Sequence, residues 1–174
     1  MNNILQFPLE LPIVAAYAGV GSRKTPPTEL EVMQAIAYKM LRYGYWLHSG
    51  GADGADKAFE RGAGNLKKIF FARDATQLAM EIASYFHPRW QACKEFARKL
   101  HGRNSFQILG RELAYRVAYC ICWTPDGAQS HAERSIKTGG TGTAISIADH
   151  FGIPVVNLAR PEQLKTWGDW AYTP

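Results

Sequence analysis

Five short apolar runs alternate along this chain with segments of helical periodicity, and that alternation admits few architectures. The runs are Ile13–Ala18, Tyr45–His48, Lys67–Phe71 (apolar after its lysines), Val117–Cys122 and Pro154–Leu158. Each is short and bounded by glycine, proline or polar residues, which reads as a strand. Between them lie helix-patterned segments. One starts at Pro26-Pro27 and stops at Gly44; the others are Asp56–Ala63, Ala75–Phe86, Trp90–Leu100 and Thr141–Phe151. Strands separated by helices pair in parallel, and the helices cover both faces of the sheet. The expectation is an α/β fold: a doubly wound, mainly parallel sheet of five or more strands.

Three glycine turns fall at strand-to-helix boundaries. They are Gly19-Val20-Gly21-Ser22-Arg23, Ser49-Gly50-Gly51-Ala52-Asp53-Gly54-Ala55-Asp56 and Thr138-Gly139-Gly140-Thr141-Gly142-Thr143. Glycine lets backbone approach a ligand closely, and a helix that follows aims free N–H groups and its positive dipole end at an anion. In open parallel sheets, ligands bind beyond the carboxyl ends of the strands, where the chain order reverses. The turns follow the first, second and fourth runs, the neighbours expected around such a crevice. The polar segment from Thr124 to Lys137 is long for a strand-to-helix link and reads as a lid or binding loop.

Length and charge narrow the classes further. A chain of 174 residues carries a real core in one domain, here 13–160, with 1–12 as an N-terminal arm and 161–174 as an aromatic C-terminal tail packed on the same domain. No apolar stretch reaches the length of a membrane span, and the first eleven residues lack the basic start of a signal peptide. Cys93, Cys120 and Cys122 form no CxxC pair and read as buried, reduced thiols, hence a cytoplasmic protein. The net charge of +5 favours anionic partners mildly. Basic residues are densest over Arg89, Lys94, Arg98, Lys99, His101 and Arg103, interleaved with Trp90 and Phe96. That stretch reads either as a nucleic-acid face or as the solvated side of a helix. His48, His87, His101, His131 and His150 show no metal-ligand spacing, so no metal and no cofactor are expected.

Taken together with Gly152-Ile153-Pro154-Val155, the three glycine turns resemble the superfamily, abbreviated SLOG, that groups DNA-processing protein A (Smf) with the Lonely Guy phosphoribohydrolases. The likeness spans 13–158 in the right order and is closest to short stand-alone DprA-like members, many encoded by bacteriophages. It implies a Rossmann-like sheet, a nucleotide-derived ligand, a homo-oligomer paired through sheet-flanking helices (the helix with Leu30, Met33 and Ile36 partly interfacial) and, for a phage protein, the host cytoplasm. Lonely Guy enzymes cleave the base–ribose bond of a nucleoside monophosphate with a PGGxGTxxE stretch. Here Thr138 stands for the proline and Ser146 for the glutamate, while the phosphate-cradling GGxGT is intact. Loss of a base from ribose builds oxocarbenium charge that a carboxylate must stabilise. Asp53 and Glu133 are the candidates for that catalytic role; Asp126 shares the loop with Glu133, and Asp56 reads either as a further carboxylate for the site or as a helix-start charge.

The candidate ligand and phosphate contacts are Gly21, Ser22, Arg23, Ser49, Gly50, Gly51, Asp53, Thr138, Gly139, Gly140, Thr141, Gly142 and Thr143. Trp123, at a strand end, can stack a base or close the core edge. Three functions stand at this point. The first is binding of a nucleotide-like small molecule, with cleavage of its N-glycosidic bond as an associated activity. The second is binding of single-stranded DNA in the manner of DNA-processing protein A. The third is carriage of a phosphorylated cofactor such as molybdenum cofactor. None involves a membrane.

Overall fold

The computed structural model describes residues 10–174; the expected arm over 1–12 lies largely outside them. Five parallel strands, β1 (Ile13–Gly19), β2 (Trp46–Ser49), β3 (Lys67–Ile69), β4 (Arg116–Cys122) and β5 (Val155–Asn157), form one sheet in the order β3-β2-β1-β4-β5. The chain winds outward from β1 to β3, returns to pair β4 with the other side of β1, and continues to β5. The order therefore reverses between β1 and β4. This is the Rossmann-like, doubly wound α/β arrangement.

Six helices complete it: α1 (Pro27–Arg42), α2 (Ala55–Gly62), α3 (Gln77–Phe86), α4 (Glu95–Leu109), α5 (Thr141–His150) and α6 (Pro161–Tyr172). Helices α1, α2 and α6 cover one face, around a core with Tyr17, Met33, Ile36, Leu47, Phe59 and Ile121. Helices α3, α4 and α5 cover the other, over Phe70, Phe106, Ile108, Cys120, Cys122 and Ile145. The two faces follow from right-handed crossovers: winding outward puts helices on one side, and winding back puts them on the other. No helix of the described residues is long and apolar enough to cross a membrane.

Local signals explain most boundaries. Pro27 opens α1 at a position where a missing N–H costs nothing, and Gly44 ends it at φ 77°. Thr76 caps α3 by accepting from the Ala79 amide at 3.2 Å. On α1, Met33 and Ile36 are fully buried in the core and form its inward face.

Two segments differ from the sequence reading. The expected helix from Trp90 to Leu100 is a single helical turn over Trp90–Ala92 followed by α4, which runs on to Leu109. Gly102, just past the expected end, is the place where α4 crosses α3, since a Cβ there would lie 2.8 Å from Met80 Cγ. The buried residues beyond it mix polar Asn104, Ser105 and Gln107 with Phe106, Ile108 and Leu109, which blurs the apolar stripe. The aromatic C-terminal segment is helix α6, with Pro161 in its first turn and Trp167 set edge-on against Tyr119 at 5.5 Å between centroids.

Candidate functional site

The carboxyl ends of β1 and β4 open into a crevice of about 380 Å³ at the point where strand order reverses. Backbone contacts hold its walls together. Val20 and Ser22 donate their amides to Ile121 O and Trp123 O, which ties the first glycine turn to the end of β4. The Ala55 amide at the start of α2 reaches Ser22 O. Gly21 is required at this junction: a Cβ there would lie 2.7 Å from Ala55 Cβ and 3.1 Å from Trp123 O.

The second turn is organised from within. Asp56, 3% exposed, accepts from the amides of Gly50 (3.1 Å) and Ala52 (3.3 Å) through one carboxylate oxygen. Ser49 Oγ takes the Gly51 amide at 3.1 Å and donates to the buried Glu60 at 2.7 Å. These amides are therefore spent on the turn itself. Burial pushes the Asp56 carboxyl up to about 6, against the pull of the Arg103 guanidinium and the two amides. Arg103 in turn donates to Gly50 O at 2.9 Å.

The third turn is the open one. Gly140 forms the N-cap of the ten-residue α5 with no side chain capping it, and a Cβ at Gly139 or Gly140 would meet nothing within 4 Å. The Gly142 amide donates to Gly139 O at 3.1 Å, while the Gly140 and Thr141 amides, with no intrahelical acceptor, are left as donors at this end. Asn104 holds the turn in place by donating to Gly140 O at 3.0 Å.

Charge in the lining is mostly of one sign. Arg23, Lys24, Arg103 and Lys137 face it, with Asp56 as the only carboxylate among the lining residues. On the floor lies Gln107, 1% exposed, whose side-chain oxygen and nitrogen both lack a hydrogen-bond partner. A buried primary amide with neither atom satisfied costs about 1–3 kcal/mol per group until something pairs with it.

Of the residues named from the sequence, Gly21, Ser22, Arg23, Thr138, Gly139, Gly140 and Thr141 line the crevice. Ser49, Gly50 and Gly51 shape the turn behind it. Thr143 is buried, its hydroxyl 2.9 Å from His101 Nδ1, and Gly142 packs against the Arg134 guanidinium. Asp53 is exposed and outside the lining. Glu133 also lies outside it, paired with Arg160 at 2.8 Å. Ser146 is fully buried and bonded to His131 Nδ1 (2.8 Å) and Arg134 (2.7 Å). Trp123 packs on the core beside α1 and α2, at its edge.

The long loop is a tied-down strap. Asp126 accepts from Thr124 (2.8 Å), Ser135 (2.6 Å) and Thr138. Burial opposes its charge, yet these hydrogen bonds prevail and hold its carboxyl down to about 2. Asn157 donates to Thr124 Oγ1 and Ala128 O, and Arg160 to Gly127 O. Only the end of the loop, Lys137 and Thr138, reaches the crevice.

Sequence reasoning missed the contribution of α4. Arg103, Asn104 and Gln107 fall on one helical face by their spacing, but only once the helix is carried through Gly102. The spacing of single residues also hid a cluster at the α3–α4 hairpin: His87, Cys93 and His101 converge, and Cys93 is only partly buried.

Comparison with protein-family profiles, curated proteins and solved structures gave no match.

Proposed function

We propose that the crevice binds a nucleotide or nucleotide-derived ligand, phosphate foremost, in a protein of the superfamily that groups DNA-processing protein A with the Lonely Guy phosphoribohydrolases. The observation that carries this is the uncapped N-terminus of α5, opened by Gly139 and Gly140, facing a crevice lined by Arg23, Lys24, Arg103 and Lys137. Free helix amides and cations of one sign are what a phosphate needs, and hydrogen bonds to a charged group are each worth about 1.5–3 kcal/mol. The volume of about 380 Å³ lies in the range of small-ligand sites. Gln107 adds a donor and an acceptor suited to the edge of a base or a ribose hydroxyl.

Binding is favoured over cleavage of the glycosidic bond. The lining carboxylate, Asp56, is engaged in holding the β2–α2 turn, and neither Asp53 nor Glu133 faces the crevice. The nucleotide reading is likewise favoured over a single-stranded DNA face. His101 and Arg103 belong to the crevice, Lys99 pairs with Glu95 at 2.9 Å, and Arg98 sits over Trp90, which breaks up the basic stretch.

Thermal unfolding with AMP, ADP-ribose, adenosine and a single-stranded oligonucleotide tests the proposal. A phosphorylated ligand at a hundredfold excess over its Kd is expected to add about 2.7 kcal/mol, raising Tm by roughly 5–10 °C. Adenosine, lacking phosphate, is expected to add far less, and Gly140→Asp to abolish the shift. No shift with any phosphorylated nucleotide, or binding confined to the oligonucleotide with a steep salt dependence, overturns it.

A further inference from the structure

Helix α3 ends at Phe86, and the chain turns through His87-Pro88 and the helical turn Trp90–Ala92 before entering α4. That reversal places Cys93 beside His87 and lays both against His101, two turns into α4. One ligating atom from each of the three lies within 4.8 Å of the others. Cys93 Sγ is 3.7 and 3.8 Å from the two nitrogens of His87, and the two imidazole centroids are 4.3 Å apart. We propose that His87, Cys93 and His101 form a metal site that takes Zn²⁺ through two imidazole nitrogens and one thiolate.

The donor set and spacing suit that ion. Zinc bonds of about 2.1 Å to nitrogen and 2.3 Å to sulfur place tetrahedral ligand atoms about 3.6 Å apart, so closing the cluster needs only small side-chain rotations. His101 Nδ1 is engaged by the Thr143 hydroxyl at 2.9 Å, leaving Nε2 to the metal. A partner on the second nitrogen is the usual way a protein orients a ligating histidine. His87 has a weaker tie: the Arg89 amide donates to its Nδ1 at 3.2 Å, and metal binding returns that exposed amide to water. Trp90 flanks both rings, its centroid 6.1 Å from His87 and 6.4 Å from His101, and partly screens the cluster from solvent. Arg134 and Arg103 act against positive charge here. The thiolate offsets them: as the Zn–S bond forms, the Cys93 thiol proton leaves to solvent, so only one net positive charge is added. Three protein ligands leave the fourth position to water or another small donor.

The site stands apart from the crevice proposal, although His101 also lines the crevice. The test uses the full chain stripped of metal by a chelator. Zn²⁺ is titrated in competition with a chromophoric chelator, and Co²⁺ is followed by absorption. The expected result is one equivalent of Zn²⁺, and with Co²⁺ a thiolate-to-metal charge-transfer band. Cys93→Ser removes that band and weakens Zn²⁺ binding by more than about 100-fold, beyond what loss of a mere outer-sphere partner does. His87→Ala, a partly exposed position that leaves the partly buried His101–Thr143 contact intact, weakens it likewise, whereas His150→Ala does not. No binding, no charge-transfer band, or affinity unchanged in both Cys93→Ser and His87→Ala overturns the assignment.

Discussion

Asp56→Asn is the substitution whose effect follows most directly from the structure. Burial lifts the Asp56 carboxyl from 3.8 to about 6, despite the Arg103 charge and the amides of Ala52 and Gly50. A raised pKa means that the folded state holds this proton more tightly than the unfolded chain. The contribution of Asp56 is therefore fully present below pH 3.8 and is lost as pH rises through about 6. At about 1.36 kcal/mol per unit, ionised Asp56 weighs on the fold by about 3 kcal/mol at neutral pH and about 1 kcal/mol near pH 4.5. Asparagine carries no charge and keeps an acceptor for the Gly50 and Ala52 amides. The stability of the variant relative to wild type should then grow by about 2 kcal/mol between pH of roughly 4.5 and 7.

His48 and His101 titrate across the same interval in the opposite sense. Burial pushes each down from 6.5 to about 4, so their contribution is present above pH 6.5 and lost as pH falls toward 4. Both are common to the two proteins and cancel in the difference. Urea unfolding followed by tryptophan fluorescence at the two pH values reads it directly. A stability difference that stays constant across the interval would refute the claim that Asp56 is a buried acid strained by desolvation.

Two further substitutions probe the crevice wall and floor. Gly21→Ala puts a Cβ 2.7 Å from Ala55 Cβ and 3.1 Å from Trp123 O; it should cost about 1–3 kcal/mol in urea unfolding, and an unchanged midpoint would contradict the tight junction of strand ends. Gln107→Leu removes an amide with no partner, so stability should hold or rise by about 1–3 kcal/mol while AMP binding measured by calorimetry weakens. A loss of stability there would mean that the amide is already satisfied.

The alternation of apolar runs made the sheet legible, because buried parallel strands need no alternating pattern and each run was bounded by glycine, proline or polar residues. The switch point followed, and with it the positions of Gly21 and of Gly139-Gly140. What stayed hidden was hidden for physical reasons. Helix α4 packs through Gly102 and then buries polar Asn104, Ser105 and Gln107 among Phe106, Ile108 and Leu109, which blurs the hydrophobic periodicity where the helix contributes most to the crevice. Ser49, Gly50 and Gly51 looked equivalent to the third turn, yet Asp56 and Ser49 use up the amides that the motif seemed to offer. The loop from Thr124 to Lys137 read as a lid or binding loop from its length, and only the three-dimensional partners of Asp126, Asn157 and Arg160 reveal it as fixed. His87, Cys93 and His101 belong to no spacing motif because a hairpin, not a helical repeat, brings them together.

The uncapped α5 terminus as an anion seat is tested most directly by amide NMR of the ¹⁵N-labelled protein during titration with AMP. The amides of Gly139, Gly140 and Thr141 are expected to shift strongly and saturably, with those of Gly50 and Ala52, already bonded to Asp56, moving far less. Saturable binding that leaves the Gly139–Thr141 amides unmoved would contradict it.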